Sequence, residues 1–233
     1  MKKCLIGIFV FLFVIAFSSA YQAFAQETYD FEGVIQVKVG KKKIKEEVGG
    51  TVDVFMSEEE DDEDFVKKGN SKSSYDDYDD EGTFESATFS FDFGAEDTEC
   101  GDTLDEESIE VDAEPQEDSG GDSRRNIRIE FDQNEMTDII SRILEKYGAT
   151  VQEALDLDDC FSTTGGDGEQ IVNFWVNHVS GTAYDKGSYI KISFSGNSEI
   201  QISDQDHQNQ QRYTQRISGK LKLVTDGKSF PYK

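Results

Sequence analysis

Two histidines, three cysteines and 49 acidic residues are the groups through which this chain of 233 residues could do chemistry, and their spacing decides which chemistry is open to them. Cys100 and Cys160 form an even pair once Cys4, which stands ahead of the apolar leader described below, is set aside. In an oxidising compartment such a pair closes a disulfide, here one that ties an acidic loop to the end of a helical segment. Neither cysteine belongs to a CxxC, and the acids around both disfavour a nucleophilic thiolate. His178 alternates with Val176 and Phe174, the pattern of a partly buried, hydrogen-bonded strand histidine; the bolder role is the general base of a hydrolase. His207 lies between polar residues with Asp204 and Asp206, where nothing fixes a metal geometry. Serines abound without a GxSxG or SxxK setting. Gly165, Gly166 and Gly168 imitate a phosphate loop, yet Asp167 and Glu169 stand where the phosphate would sit and the lysine-Ser/Thr ending is missing. Trp175, alone of its type, reads as a strand residue filling a core rather than a platform for a sugar. No catalytic residue, resident cofactor or metal ligand is expected from these patterns.

The acids are unevenly placed. Residues 58–122 hold 27 of the 49 against Lys67, Lys68 and Lys72, with 58–64 an unbroken run and a second run after Tyr75. Runs of this kind repel, extend and solvate. The alternative is a Ca²⁺ site, but Asp76, Asp77, Asp79 and Asp80 lack the turn glycine and terminal glutamate of an EF-hand. Residues 171–233 carry five acids against eight bases, so the acidic middle is opposed by a mildly basic end to which it can be drawn. A net charge of −26 argues against nucleic acid as the partner, because a polyanion would be repelled.

Residues 1–25 read as a secretory signal: Lys2 and Lys3, an apolar run over 4–17, then Ala23-Phe24-Ala25, with cleavage between Ala25 and Gln26. The run is shorter than the ~20 residues of a spanning helix. Cleavage leaves a chain of charge −28, periplasmic or secreted, meeting the membrane only during export. Its partner would be another envelope or extracellular molecule.

These groups must be positioned by a mostly β framework. The clearest element is a helix inside 126–148, where Met136, Ile139, Ile140, Ile143, Leu144 and Tyr147 share one face and Asp138, Ser141, Arg142, Glu145 and Lys146 the other. Asp132 is the expected N-cap, with Glu135 completing a capping box and Gly148 the αL C-cap. Thr150 and Glu153 repeat the box ahead of a shorter helix. Strands are expected over 83–93, 127–131, 171–179, 189–194, 199–203 and 213–224, and a hairpin over 26–56 with 41–50 as its polar connection. Lys41, Lys42, Lys43 and Lys45 then form a solvated loop or a protected edge. Ala87, Phe89, Phe91 and Phe93 line one strand face, as core or as the wall of an apolar pocket. Asp185-Lys186-Gly187 and Gly196-Asn197 are expected turns, 57–82 and 94–125 flexible acidic segments. The triplets at 179–181, 194–196 and 217–219, each ending Ser-Gly, suggest strands needing glycine at bulges or turns.

The expected fold is α+β: one domain over 26–233, a mainly antiparallel sheet covered by one amphipathic helix and a short second one, with long acidic loops. The expected role is a non-catalytic binding or structural protein. The alternatives are a carrier of an apolar ligand, a Ca²⁺-dependent surface protein and a hydrolase.

Overall fold

The computed structural model describes residues 25–57, 83–116, 126–157, 159–161, 170–204 and 210–225. Residues 1–24 of the leader, the acidic segment 58–82, the glycines at 165, 166 and 168, and His207 lie outside them. Strand alternation begins at β1 (Ala25–Val39), which sends Tyr29, Phe31, Ile35, Val37 and Val39 to one side. Gly40 at φ 55° lets the chain reverse in two residues, and β2 (Lys42–Ser57) returns along β1 in register from Val39↔Lys42 to Ala25↔Met56. The lysine-rich stretch is therefore strand and not a connecting loop. Ile44, Glu46 and Val48 point inward between outward Lys43, Lys45 and Glu47.

Six more strands complete the wall: β3 (Thr83–Phe93), β6 (Glu107–Pro115), β7 (Asn126–Phe131), β8 (Gln170–Asp185), β9 (Tyr189–Asp204) and β10 (Gln210–Val224). Each pairs antiparallel with its neighbour, and β10 pairs back onto β1, so the sheet is a closed eight-stranded barrel. The structure is mostly antiparallel β with two helices, as expected, but the sheet has closed on itself and leaves no edge for the lysines to protect. A two-stranded ribbon, β4 (Glu96–Asp97) with β5 (Thr103–Leu104), stands apart. Residues 94–125, expected as linker, thus supply this ribbon and one strand of the barrel.

Phenylalanines fill the barrel. Phe31 meets Phe91 and Phe89 at 4.9 and 5.7 Å between ring centroids, Phe89 meets Phe131 at 5.6 Å, and Phe131 meets Phe194 at 5.2 Å. The three Ser-Gly triplets explain how the last ring fits. Gly181 and Gly219 lie directly opposite Phe194 on either side, and Val179 and Ile217 lie opposite Gly196. A Cβ on Gly219 would overlap the Phe194 ring, and one on Gly196 would run into the His178 carbonyl. The glycines pair small with large across strands; Gly196-Asn197 is mid-strand and not a turn.

One end of the barrel is closed by helices α1 (Gln133–Lys146) and α2 (Gly148–Leu155). Met136, Ile139, Ile140, Ile143 and Leu144 are all fully buried, so the periodic face is the lid of the core. Asp132 caps α1, its Oδ1 accepting from Asn134 and Glu135 backbone N–H at 2.8 and 3.0 Å. No box closes. Glu135 turns to β6 and accepts from Asp112 N at 2.7 Å, while burial, despite that hydrogen bond and aided by Asp112, Asp132 and Glu110, holds its carboxyl above the usual range. Gly148 is not an αL cap but the first residue of α2, where a Cβ would press on Cys100 Sγ, Cys160 Sγ and the Phe161 carbonyl. The αL cap is Asp156, at φ 56°. Thr150 likewise leaves its box unformed and bonds Glu99.

α1 stands where β7 stops short. β7 has six residues beside the sixteen of β8, so β6 and β8 lose their common partner below Phe131. Two helix side chains take its place: Glu135 accepts from Asp112 N, and Thr137 Oγ1 accepts from Val176 N at 3.0 Å while donating to Gln133 O at 2.7 Å. Thr137→Val is isosteric and strands the part-buried Val176 N–H, so a loss of about 1–3 kcal/mol in the free energy of urea unfolding is expected, read as a lower midpoint at unchanged slope. Faster amide exchange at Val176 would accompany it; unchanged exchange there would show that the hydroxyl is dispensable.

Candidate functional site

The sequence-expected residues do not converge on one site. Cys100 and Cys160 are joined, with Cα atoms 6.2 Å apart, and the bond fastens the loop after β4 beneath α2. Ala25 and Gln26 open β1, opposite Met56 and Phe55. Phe91 and Phe93 are buried at the helix end; Phe89 alone of the three borders the void described below. Trp175 is half-buried and donates its Nε1–H to Asn177 Oδ1. Among the described residues no three acids, histidines or cysteines come together to hold a metal. The Ca²⁺ expectation rested on runs that fall outside them.

His178 is exposed rather than partly buried. Its Nδ1 lies 3.1 Å from Glu130 Oε1 and its Nε2 3.1 Å from Ser180 Oγ, the connectivity of an acid, base and nucleophile. β7 and β8 create it locally: Glu130 is directly opposite Ser180, and a bulge between Val176 and His178 turns the imidazole toward them. The relay stands on the outer wall with 47% of the histidine side chain in solvent. At Ser180 the strand is paired on both sides, to Glu130 and to Ser195, which engages the backbone N–H groups that would hold an oxyanion. As a catalytic centre it lacks its electrostatic half.

A feature that only the register reveals lies on the other side of the barrel. On the outward face Lys43, Lys38 and Arg216 are directly opposite one another across β2, β1 and β10. Lys45, Lys220, Lys222 and Lys191 continue the same wall toward the far end, Lys222 directly opposite Lys191. Among the described residues, Lys222 alone of these seven has a carboxylate partner, Glu32 at 3.2 Å. Like charges facing each other across strands are destabilising. The two exposed large hydrophobic residues among the described ones, Val34 and Val224, are on this wall too. Beside Val34 runs a shallow groove of about 520 Å³ bordered by Glu32 and Glu47 as well as by Lys191, Lys220 and Lys222, so the three-cation row at Lys43, Lys38 and Arg216 is the part of the wall without an interleaved acid. The opposite face, on β3, β6 and β7, presents Asp92, Glu110, Asp112, Glu114 and Glu130. Sequence reading located the basic end of the chain but not this wall, because its cations come from four strands and meet only through barrel closure.

At the end away from the helices the interior holds a void with a wholly apolar lining. Ala87, Ala113 and Ala183 with Phe84, Ile127 and Leu223 border this void of about 20 Å³. That is room for about one water molecule. Compared with known proteins, the chain matches no family model, no curated protein and no solved structure.

Proposed function

We propose that this chain is an exported, non-catalytic binding protein whose filled barrel is a scaffold and whose β2–β1–β10–β9 wall recognises an anionic partner. The observation that carries the reading is the facing row Lys43, Lys38 and Arg216 on a chain whose net charge is −26. Aligned cations cost stability, and on a surface otherwise rich in acids they are retained where a partner neutralises them. Val34, Val224 and the groove add the apolar contact that charge alone does not give. Export is supported by the leader and fits a disulfide fastening the helix end.

The test is titration of labelled poly-L-glutamate against the exported chain at about 50 mM salt. Saturable binding is expected, weakening linearly in log salt. Lys38→Glu with Arg216→Glu should lower affinity about tenfold, the two reversals together being worth about 1.4 kcal/mol at ~0.7 kcal/mol each on an exposed wall. Glu110→Gln with Glu114→Gln, on the opposite face, should not weaken it. Equal affinity after wall reversal would end the reading.

A second reading, a small apolar ligand at the far end, is favoured by the lining of Ala87, Ala113 and Ala183. Its ligand would have to displace lining side chains, since the void is about one water in size. An extra mass on the native protein that leaves on denaturation would raise this reading above the first. The denatured mass would also report cleavage before Gln26.

A further inference from the structure

We infer that the partner of the basic wall is the acidic stretch 58–82 of a second copy of this chain, an inference that rests on the wall being a binding surface. The stretch holds twelve acids against three lysines, gathered at its two ends over 58–64 and 76–81. It leaves the barrel from Ser57 and rejoins it at Thr83, which face each other at the far end. Charge complementarity names the segment, and reach decides which copy supplies it.

Lys43 is fourteen residues below Ser57 on β2, about 46 Å at ~3.3 Å per residue. Each acidic run lies within seven residues of its anchoring strand, which limits its advance to about 25 Å even fully extended. A chain's own runs therefore come about level with Lys222 and Lys191, which stand eight residues below Ser57 through Glu32 and Gly49, but stop about 20 Å short of the row Lys43, Lys38 and Arg216, and it is this row that a second copy must fill. The residues furthest along the chain from either anchor are those in the middle of the stretch, which carries Lys67, Lys68 and Lys72 and would be repelled by the row. A second copy has no such tether. Each molecule then offers one stretch and one wall, and the contact closes as a two-fold pair when it is reciprocal.

The salt dependence of this association has a characteristic form. At about 0.01 M the screening length is ~30 Å and two exported chains, each of charge −28 once Lys2 and Lys3 are removed with the leader, repel as wholes; at about 1 M it is ~3 Å and the local attraction is lost. Association should therefore pass through a maximum near 0.1 M, whereas apolar association would rise steadily with salt. Sedimentation velocity of the exported chain at those three concentrations is the experiment. Lys38→Glu with Arg216→Glu should abolish the dimer, as should replacing the acids of 58–64 by their amides. Mixing the two variants should restore association, because one still offers the stretch and the other the wall. A monomer at all three salts, or no recovery on mixing, overturns the inference. If poly-L-glutamate still binds, the anionic-partner reading stands alone; if it does not, both fall.

Discussion

Arg142→Ala is expected to remove about 3 kcal/mol of stability and to release the loop between β3 and β6. Arg142 is 6% exposed although it stands on the charged face of α1. Its guanidinium donates to Glu107 Oε1 at 2.7 Å, to Gly94 O at 2.9 Å and to Asp105 O at 2.7 Å, and its plane lies over the Phe93 ring at 5.1 Å. One side chain thus gathers both ends of the loop that carries β4 and β5. Truncation leaves two carbonyls to find water and removes the stem packed on Phe93. The orphaned Glu107 is 47% exposed and stays solvated, which keeps the cost at the low end for a broken ion pair. Arg142→Lys keeps the charge but not the fork, so it should recover less than half of the loss. Urea unfolding and proteolysis within 94–106 check both. A lysine variant of native stability would show that charge, not geometry, holds the loop.

Arg142 also marks where sequence reading stops. The period of Met136, Ile139, Ile140, Ile143 and Leu144 and the cap at Asp132 are properties of one continuous segment, and both are as expected. The partners of Arg142 lie 35 to 48 residues away along the chain, so its charge placed it on the surface. Glu46 is the same case. Within a lysine-rich stretch it reads as solvated, yet it is 8% exposed, accepting from Lys146 Nζ at 2.7 Å and Tyr147 Oη at 3.0 Å. Burial draws the Lys146 ammonium pKa down, but Glu46 and Glu96 together hold it above its ordinary range. Gly196 failed differently. Glycine followed by asparagine carries turn chemistry, whereas here glycine answers Val179 and Ile217 on neighbouring strands. Barrel closure, and with it the basic wall, depends on β1 meeting β10 across almost the whole chain. No local pattern encodes that pairing.

Cys100→Ser with Cys160→Ser is the other large loss, about 4 kcal/mol in the chain-entropy view of a cross-link spanning 60 residues. The bond ties the loop of β4 and β5 to the chain beyond α2, the same loop that Arg142 holds to α1. Glu99 adds a third tie, accepting from Thr150 N and Oγ1 at 2.7 and 3.0 Å and donating its N–H to Lys146 O at 2.9 Å. Three ties on one loop cannot lose their energies independently. Once the disulfide is gone the loop can detach in a local opening, and the Arg142 contacts then secure a segment that is already partly free. The combined variant should therefore lose less than the sum of the two, with a coupling of about 0.5–3 kcal/mol. Strict additivity in urea unfolding would mean that the disulfide acts wholly on the unfolded chain and that the loop stays docked without it. The wall offers an internal control. Lys38 and Arg216 lie on β1 and β10, strands that close the barrel without the loop, so a partly opened helix end should leave binding at the wall unchanged. Loss of poly-L-glutamate affinity in the folded Cys100→Ser, Cys160→Ser variant would instead show that the helix end, which meets the neighbourhood of the row through Lys42 and Glu153, helps to hold the recognition surface in place.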